Sequence, residues 1–407
     1  MNNTKIHDGN IHLVSLNVFD KVCKMEAFQY TDEDLVESSS GWNEEYADQS
    51  KLDERLQGGW DRAMDEGHFR YRLNIKQTRV IGHIGYVAQV VQTHVIGHIG
   101  YVAQLNILRA QERRKPDTIT SVNQPFNRDS FNFTKIKPGE ILFEMQKLES
   151  SKDDCGQMLR DRAVTVEVAS KNTEIKVCNQ VVINVSPLEY GHVLLLPDVQ
   201  ACNPQILTKY AVELSVDLLL LSKHRGFRVG FNSLCAYASV NHLHVHAYYL
   251  DHELFVEHMP VQQLSGVLHE QTLLAAKGFV LQLHGSTPTL LSRNIYEITH
   301  YFNNNEIAHN IFMTRGPAFG EPRDSACRTI RVYIWPRKKF IGLKDEAAFN
   351  VALAELAGHL PIKVQDLFHG LDEQQIEETV QVAMLEEHEY QKIKENFIDM
   401  FSTSPTS

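Results

Sequence analysis

Between Phe231 and Leu250 the chain reads Phe-Asn-Ser-Leu-Cys-Ala-Tyr-Ala-Ser-Val-Asn-His-Leu-His-Val-His-Ala-Tyr-Tyr-Leu. His242, His244 and His246 alternate with Leu243 and Val245. Alternation with β-branched and aromatic residues is the pattern of a β-strand, in which positions two apart share a face. Three imidazoles are thus expected side by side, with Leu243 and Val245 in the opposite layer. Three kinds of chemistry fit such a row. The histidines could be solvated or core side chains, each needing a partner if buried. They could hold zinc, which would require a further ligand from elsewhere, and no Cys-x-x-Cys is present to supply one. Or one histidine is a nucleophile supported by the other two, since neutral imidazole attacks when its other nitrogen is held by an acceptor.

The run His-φ-His-φ-His-φ-φ resembles the signature of the histidine-triad superfamily of nucleotide hydrolases and transferases. Val181-Val-Ile-Asn-Val-Ser-Pro-Leu-Glu-Tyr-Gly-His-Val-Leu-Leu-Leu-Pro197 is similar to the strand–turn–strand that precedes the triad there. With Phe131-Asn-Phe-Thr-Lys135 and Phe227-Arg-Val-Gly-Phe-Asn-Ser233, the resemblance narrows to the GDP-hexose phosphorylases, from about Gly59 to about Lys363. It implies an α+β, HIT-like (histidine-triad) fold with a catalytic half packed on a degenerate second half. It also implies a two-step transfer with a GDP-sugar and inorganic phosphate as partners, a covalent guanylyl-histidine, and no cofactor or metal. Carried over position by position, His244 matches the nucleophile, His242 a supporting position that orients the array, and His246 a bond to a phosphate oxygen. Ser239, Asn232, Asn184 and Lys135 are the expected substrate-binding residues. Plant members usually carry Gln at the third triad position. His246, the Arg331–Lys338 stretch and the Phe349–Pro361 stretch look like the animal type, which acts on GDP-glucose. A hydrolase releasing GMP, a preference for GDP-L-galactose, and a non-enzymatic zinc- or nucleotide-binding protein are the alternatives.

Composition narrows the classes. A 407-residue chain is long enough for two or three domains, and its 43% hydrophobic and 22% charged residues are ordinary for a globular protein. The net charge of −11 argues against general nucleic-acid binding, for which a basic domain is expected. An anionic nucleotide must therefore meet local cations, and Lys135, Arg228, Arg315, Arg331 and Arg337-Lys338-Lys339 are the candidates. Six scattered cysteines fit reduced thiols in the cytosol. No signal peptide and no apolar run of membrane-spanning length are visible, so a cytoplasmic protein is expected.

The positioning elements follow in order. Residues 1–50 read as a flexible arm, 51–262 as the catalytic domain, 263–370 as the second half, and 371–407 as an acidic helix and tail. A short helix at Lys51–Gln57 is expected to break at Gly58-Gly59, and Phe69–Ile75 alternates like a strand. Thr78-Arg-Val-Ile-Gly-His-Ile-Gly-Tyr-Val-Ala-Gln89 recurs as Thr93–Gln104 with one difference, Arg79 against His94. This tandem duplication spans 78–104, and an odd period of 15 cannot enter one continuous strand without reversing its faces, so one copy is expected to loop out. His83 and His98 are read as copied surface residues. Glu112-Arg-Arg-Lys-Pro116 reads as a solvated basic linker, and the Gln124–Lys135 phenylalanines as either a stacking wall or a clamp. Strands are expected at 163–169, 176–185, 194–197, 227–231, 241–250, 278–283, 308–314 and 329–335. Helices are expected at 205–224, 292–302, 345–359 and 372–401.

Overall fold

The computed structural model describes residues 27–36, 49–75, 77–81, 100–114, 117–148, 177–325, 327–341 and 349–402. Its fourteen described strands are β1 (Ala27–Tyr30), β2 (Thr78–Ile81), β3 (Tyr101–Leu105), β4 (Ile141–Lys147), β5 (Gln180–Ile183), β6 (Val193–Leu196), β7 (Phe227–Asn232), β8 (Val245–Tyr249), β9 (Val261–Ser265), β10 (Leu268–Gln271), β11 (Phe279–Gln282), β12 (Ala308–Pro317), β13 (Arg328–Arg337) and β14 (His359–Ile362). Eleven form one sheet in the order β1-β4-β5-β6-β8-β7-β12-β13-β11-β10-β9, and β14-β3-β2 form a second. Strand alternation divides the large sheet between two cores. Leu243, Val245 and Ala247 of β8 and its approach join Ile330, Val332 and Ile334 of β13 in one core. Tyr248, Tyr333 and Trp335 join the other.

The first core is closed by helices α1 (Lys51–Asp65), α3 (Lys209–Leu221), α4 (Pro288–Asn304) and α8 (Glu387–Ser402). Helix α1 does not break at its glycines. Ser50 and Asp53 cap its start, and Leu52, Leu56, Trp60 and Ala63 bury one stripe. The burial of that stripe outweighs the ~1 kcal/mol cost of each helical glycine. Phe69–Ile75 is irregular chain rather than a strand. Arg70 N–H bonds the Val185 carbonyl there, and the Tyr71 hydroxyl reaches Pro187 O.

The second core lies under the small sheet and α5 (Leu353–Leu356), α6 (Gln365–Gly370) and α7 (Glu373–Ala383). The short helix α2 (Ile107–Glu112) follows β3 directly. Of the helix expected over 345–359, the described residues from 349 hold only α5, and from His359 the chain pairs in parallel with β3. The expected long terminal helix is two, α7 and α8, divided near Met384, which bridges to Arg337. The repeat supplies one strand from each copy. Strand β2 opens the first copy, β3 closes the second, and they pair antiparallel with Thr78 opposite Gln104 and Ile81 opposite Tyr101. His83, His98 and the 163–169 strand lie outside the described residues. Among the described residues no helix is long and apolar enough to cross a membrane.

Candidate active site

Strand β8 begins only at Val245, so His242 and His244 lie ahead of it. Gln205 replaces the missing ladder. Its carboxamide nitrogen donates to the carbonyls of Asn232 and His244, both at 3.0 Å, and its oxygen accepts the His244 N–H at 2.8 Å. This is also why the helix expected from Gln205 starts later. Thr208 caps α3, leaving 205 to brace the histidines.

The three imidazoles have different surroundings. His242 is buried between Phe126 and Phe133, and its Nδ1 accepts the Phe133 N–H at 3.0 Å. Burial pushes its pKa down to about 4, so the ring is neutral and anchors the Phe131–Lys135 segment. It does not line the cleft. The main-chain carbonyl of His242 accepts a 2.7 Å bond from His244 Nδ1. That places the His244 proton on Nδ1 and its lone pair on Nε2. His246 is governed by His192, a buried residue on the turn before β6 that sequence reasoning left unmarked. Leu188 N–H donates to His192 Nδ1 at 3.0 Å, which puts the His192 proton on Nε2, 3.0 Å from His246 Nδ1. The carboxamide nitrogen of Asn184 lies 3.2 Å from the same Nε2, but two donors cannot bond each other. His246 therefore accepts at Nδ1 and carries its proton on Nε2. Burial depresses the His192 pKa strongly, so it holds this neutral tautomer.

His244 and His246 face a cleft of about 1350 Å³, its open mouth included, which Asn184, Asn232 and Ser239 also line. Asn232 is occupied: its Oδ1 accepts from Asn310 Nδ2 at 2.6 Å and from the Leu353 N–H at 3.0 Å, tying β7 to β12 and α5. Asn184 Oδ1 accepts the Ser186 N–H at 3.1 Å. Lys135 is not brought in. Its ammonium donates to the carbonyls of Arg128, Asp129 and Ser130 at 2.6, 3.1 and 2.8 Å, closing the loop beneath Phe133. The loop between β7 and the triad holds Cys235 at φ 58° and Tyr237 at φ 73°, left-handed conformations that cluster at functional sites. Tyr237 lines the cleft and stacks on Phe340.

The cations at the cleft are not those expected. Arg228 is buried against Glu257, and Arg315 donates to the carbonyls of Ser222 and His224 at 2.7 and 3.1 Å. Arg331 donates to the carbonyls of Pro317 and Met259 at 2.9 and 2.8 Å, and Arg337 to the carbonyl of Val351. Lys338 and Lys339 pair with Glu386 and Glu306 at 2.6 and 2.8 Å. The cleft is lined instead by Arg109, Arg113, Arg114 and Lys363. Arg113 and Arg114 come from the stretch read as a solvated linker. Helix α2, capped by Asn106, carries it into the wall. Among the described residues, no group of three or more His, Cys, Asp or Glu is arranged to hold a metal ion.

Comparison with known proteins adds to this geometry. Residues 82–248 match the GDPGP1-like N-terminal domain and residues 256–404 the GDPGP1-like C-terminal domain. The chain belongs to the GDPGP1-like family. It is 39% identical to GDP-D-glucose phosphorylase 1 of Xenopus laevis, over 92% of this chain and 96% of that one. Identity to the Homo sapiens protein of the same name is 40%, over 85% and 84%. GDP-L-galactose phosphorylase 2 of Arabidopsis thaliana is 27% identical over 87% and 77%. The mixed α/β fold is shared with yeast Ap4A phosphorylase Apa2 in complex with Ap4A, with a TM-score of 0.50 and 11% identity over 83% of this GDPGP1-like chain and 98% of that one.

Proposed function

We propose that the protein catalyses phosphorolysis of GDP-D-glucose, giving glucose 1-phosphate and GDP. The His244 tautomer carries this reading, because its Nδ1 proton is engaged by the His242 carbonyl and its Nε2 lone pair is the nucleophile. Relatives named GDP-D-glucose phosphorylase 1, matched over most of both chains, supply the substrate. In the first step His244 Nε2 attacks the α-phosphorus of GDP-glucose. The bond from that phosphorus to the bridging oxygen breaks, and its electron pair leaves on glucose 1-phosphate. His246, its proton on Nε2, donates a hydrogen bond to the oxygen gaining charge. In the second step an oxygen of inorganic phosphate attacks the same phosphorus. The P–N bond breaks, its electrons return to His244, and GDP leaves. His192 positions His246 as the donor, and the His242 ring anchors Phe133 beside the nucleophile, 5.1 Å from the His244 ring. Ser239, Asn184 and Asn232 complete the phosphate and ribose surroundings, Asn232 through its placement of α5.

The same reading takes the fold as HIT-like, with β9–β13 and α4 as a degenerate second half. Both halves run strand, strand, strand, helix, strand, strand, and their sheet orders mirror each other about the β7–β12 pair. The test is a panel of GDP-sugars, including GDP-L-galactose, incubated with phosphate. GDP-glucose should be consumed fastest with phosphate-dependent release of GDP. Release of GMP at a rate indifferent to phosphate would rule the phosphorylase reading out.

A further inference from the structure

The cleft has two unlike ends, and the histidines show which is which. Phe133 lies against His242 and His244, and with Val182, Leu194 and Val240 it makes an apolar end. The other end lies beyond His246. There Arg109 donates to the Ser186 carbonyl, on the same turn whose Leu188 N–H fixes His192. Pairing of β14 with β3 sets Ile362 opposite Leu105, and Asn106 N–H bonds the Ile362 carbonyl at 2.9 Å. Lys363 therefore stands next to the start of α2, which carries Arg109. Its ammonium donates to Asn350 Oδ1 at 2.9 Å. Glu355 closes this end. It is 8% exposed and lines the cleft, and its Oε2 accepts the Ala352 N–H at 3.1 Å.

Resting on the reading above, we propose that Arg109, Arg113 and Lys363 form one phosphate subsite used in both half-reactions, and that Glu355 takes a hexose hydroxyl beside it. In the first half-reaction the subsite holds the phosphate that departs with the hexose, and in the second it holds the inorganic phosphate that replaces it. The two occupants differ only by the sugar, so a group that reads the sugar acts in the first half-reaction alone. These three of the four cations lining the cleft, in a chain of net charge −11, fit a dianion that neutralises them. Burial and the nearby Arg109 both depress the Arg113 pKa, which is the repulsion an anion would relieve. Burial raises the Glu355 carboxyl, against the pull of Arg109 and Lys363, which suits a group exchanging hydrogen bonds with a neutral hydroxyl.

The experiment separates the half-reactions. Enzyme and GDP-glucose without phosphate are mixed rapidly to form the guanylyl adduct, which is then chased with inorganic phosphate. Arg113→Gln should raise the phosphate needed for a half-maximal chase by about tenfold or more and slow adduct formation as well, and Arg113→Lys should recover part of both. Glu355→Gln should slow adduct formation about tenfold and leave the chase rate unchanged. Its amide oxygen can still accept the Ala352 N–H, and the thermal midpoint of each variant reports the fold. A phosphate dependence within about twofold of wild type for Arg113→Gln would overturn the shared subsite. Equal slowing of both steps in Glu355→Gln would overturn the hexose contact. Failure of the wild-type protein to form any adduct would be a different result, overturning the phosphorolysis reading itself.

Discussion

The two halves of the large sheet pass through the same succession of strands and helix, yet their polar side chains are used differently. On the helix-covered face they are alike, with Val245 and Ala247 of β8 and Val332 and Ile334 of β13 filling one core. On the other face β8 and its approach carry His244, His246 and Tyr248, whereas β13 carries Arg331, Tyr333 and Trp335. His244 Nδ1 is held by the His242 carbonyl and His246 Nδ1 by His192, and both rings line the cleft. Arg315 of β12 and Arg331 of β13 give their protons to main-chain carbonyls and are among the most deeply buried of the described side chains. Residue type does not separate site from scaffold here. What separates them is whether the side chain lines the cleft or is spent on main-chain carbonyls inside the core.

Breaking the first half alone should give the largest effect. His244→Asn should lower phosphorolysis by at least about a thousandfold and remove the adduct, with the fold kept because Gln205 holds the main chain at 244 rather than the ring. His246→Gln should be milder, roughly ten- to a hundredfold in kcat, because a carboxamide can still accept from His192 and donate to a phosphate oxygen. Equal losses in the two variants, measured as kcat under saturating GDP-glucose and phosphate, would break the division of roles.

The converse holds in the second half. Arg315→Met removes the guanidinium that donates to the carbonyls of Leu219, Ser222, His224 and Phe227, so it should cost about 1–3 kcal/mol of stability. Its kcat per folded molecule should stay near wild type. Urea unfolding and active-site titration together check this, and a kcat loss without destabilisation would contradict the structural assignment.

This contrast also explains what was legible beforehand. Alternation exposed the triad, and short runs rich in apolar and β-branched residues placed β7, β11, β12 and β13 within a few residues, because strands buried on both faces carry such runs. The same signal misled at its edges. Asn241–His244 alternates but is held by a side chain, Gln205, whose neighbours look helical. His192 stands alone in Gly-His-Val and has no spacing partner, since its partner is 54 residues away. Charge was misread in both directions. Arginines inside strands looked like ligand cations and serve carbonyls, while Arg113 and Arg114 looked like linker and line the cleft. Only the direction in which α2 leaves β3 distinguishes these cases, and that direction is set by pairing with β14, some 250 residues later in the chain.

Acid should affect both halves together. Burial lowers the pKa of His242 and His309 to about 4 and that of His359 to about 3. Above pH 6.5 these rings are neutral whether the chain is folded or not, and stability is greatest. Below 6.5 the unfolded chain takes up protons that the folded chain refuses. Stability should therefore fall as pH drops toward 4, by about 1.4 kcal/mol per pH unit for each fully engaged histidine. Urea midpoints between pH 7 and pH 4 measure the slope, and a flat profile would mean the rings are not buried neutral.

The smallest effect concerns the small sheet that laces the halves together. Strand β2 comes from the first repeat copy and β3 from the second, so removing either residues 82–96 or residues 78–92 restores a single Thr-x-Val-Ile-Gly-His-Ile-Gly-Tyr-Val-Ala-Gln segment. The two products differ at one position, which is Arg79 in the first and His94 in the second. Arg79 donates to the carbonyls of Phe368, His369 and Leu371 at 2.6, 2.8 and 2.8 Å, satisfying the C-terminal end of α6. A histidine there is shorter and cannot reach three carbonyls at once. Deletion of 82–96 should thus leave stability and activity near wild type, because both described strands and the Arg79 cap survive. Deletion of 78–92 should lower stability by about 1 kcal/mol, the usual worth of a cation at a helix C-terminus, with kcat unchanged. Thermal midpoints of the two deletions compared side by side decide it. Insoluble protein from the 82–96 deletion would show that the extra fifteen residues are needed for folding, whereas identical midpoints would show that the Arg79 cap carries no weight in holding α6 to β2.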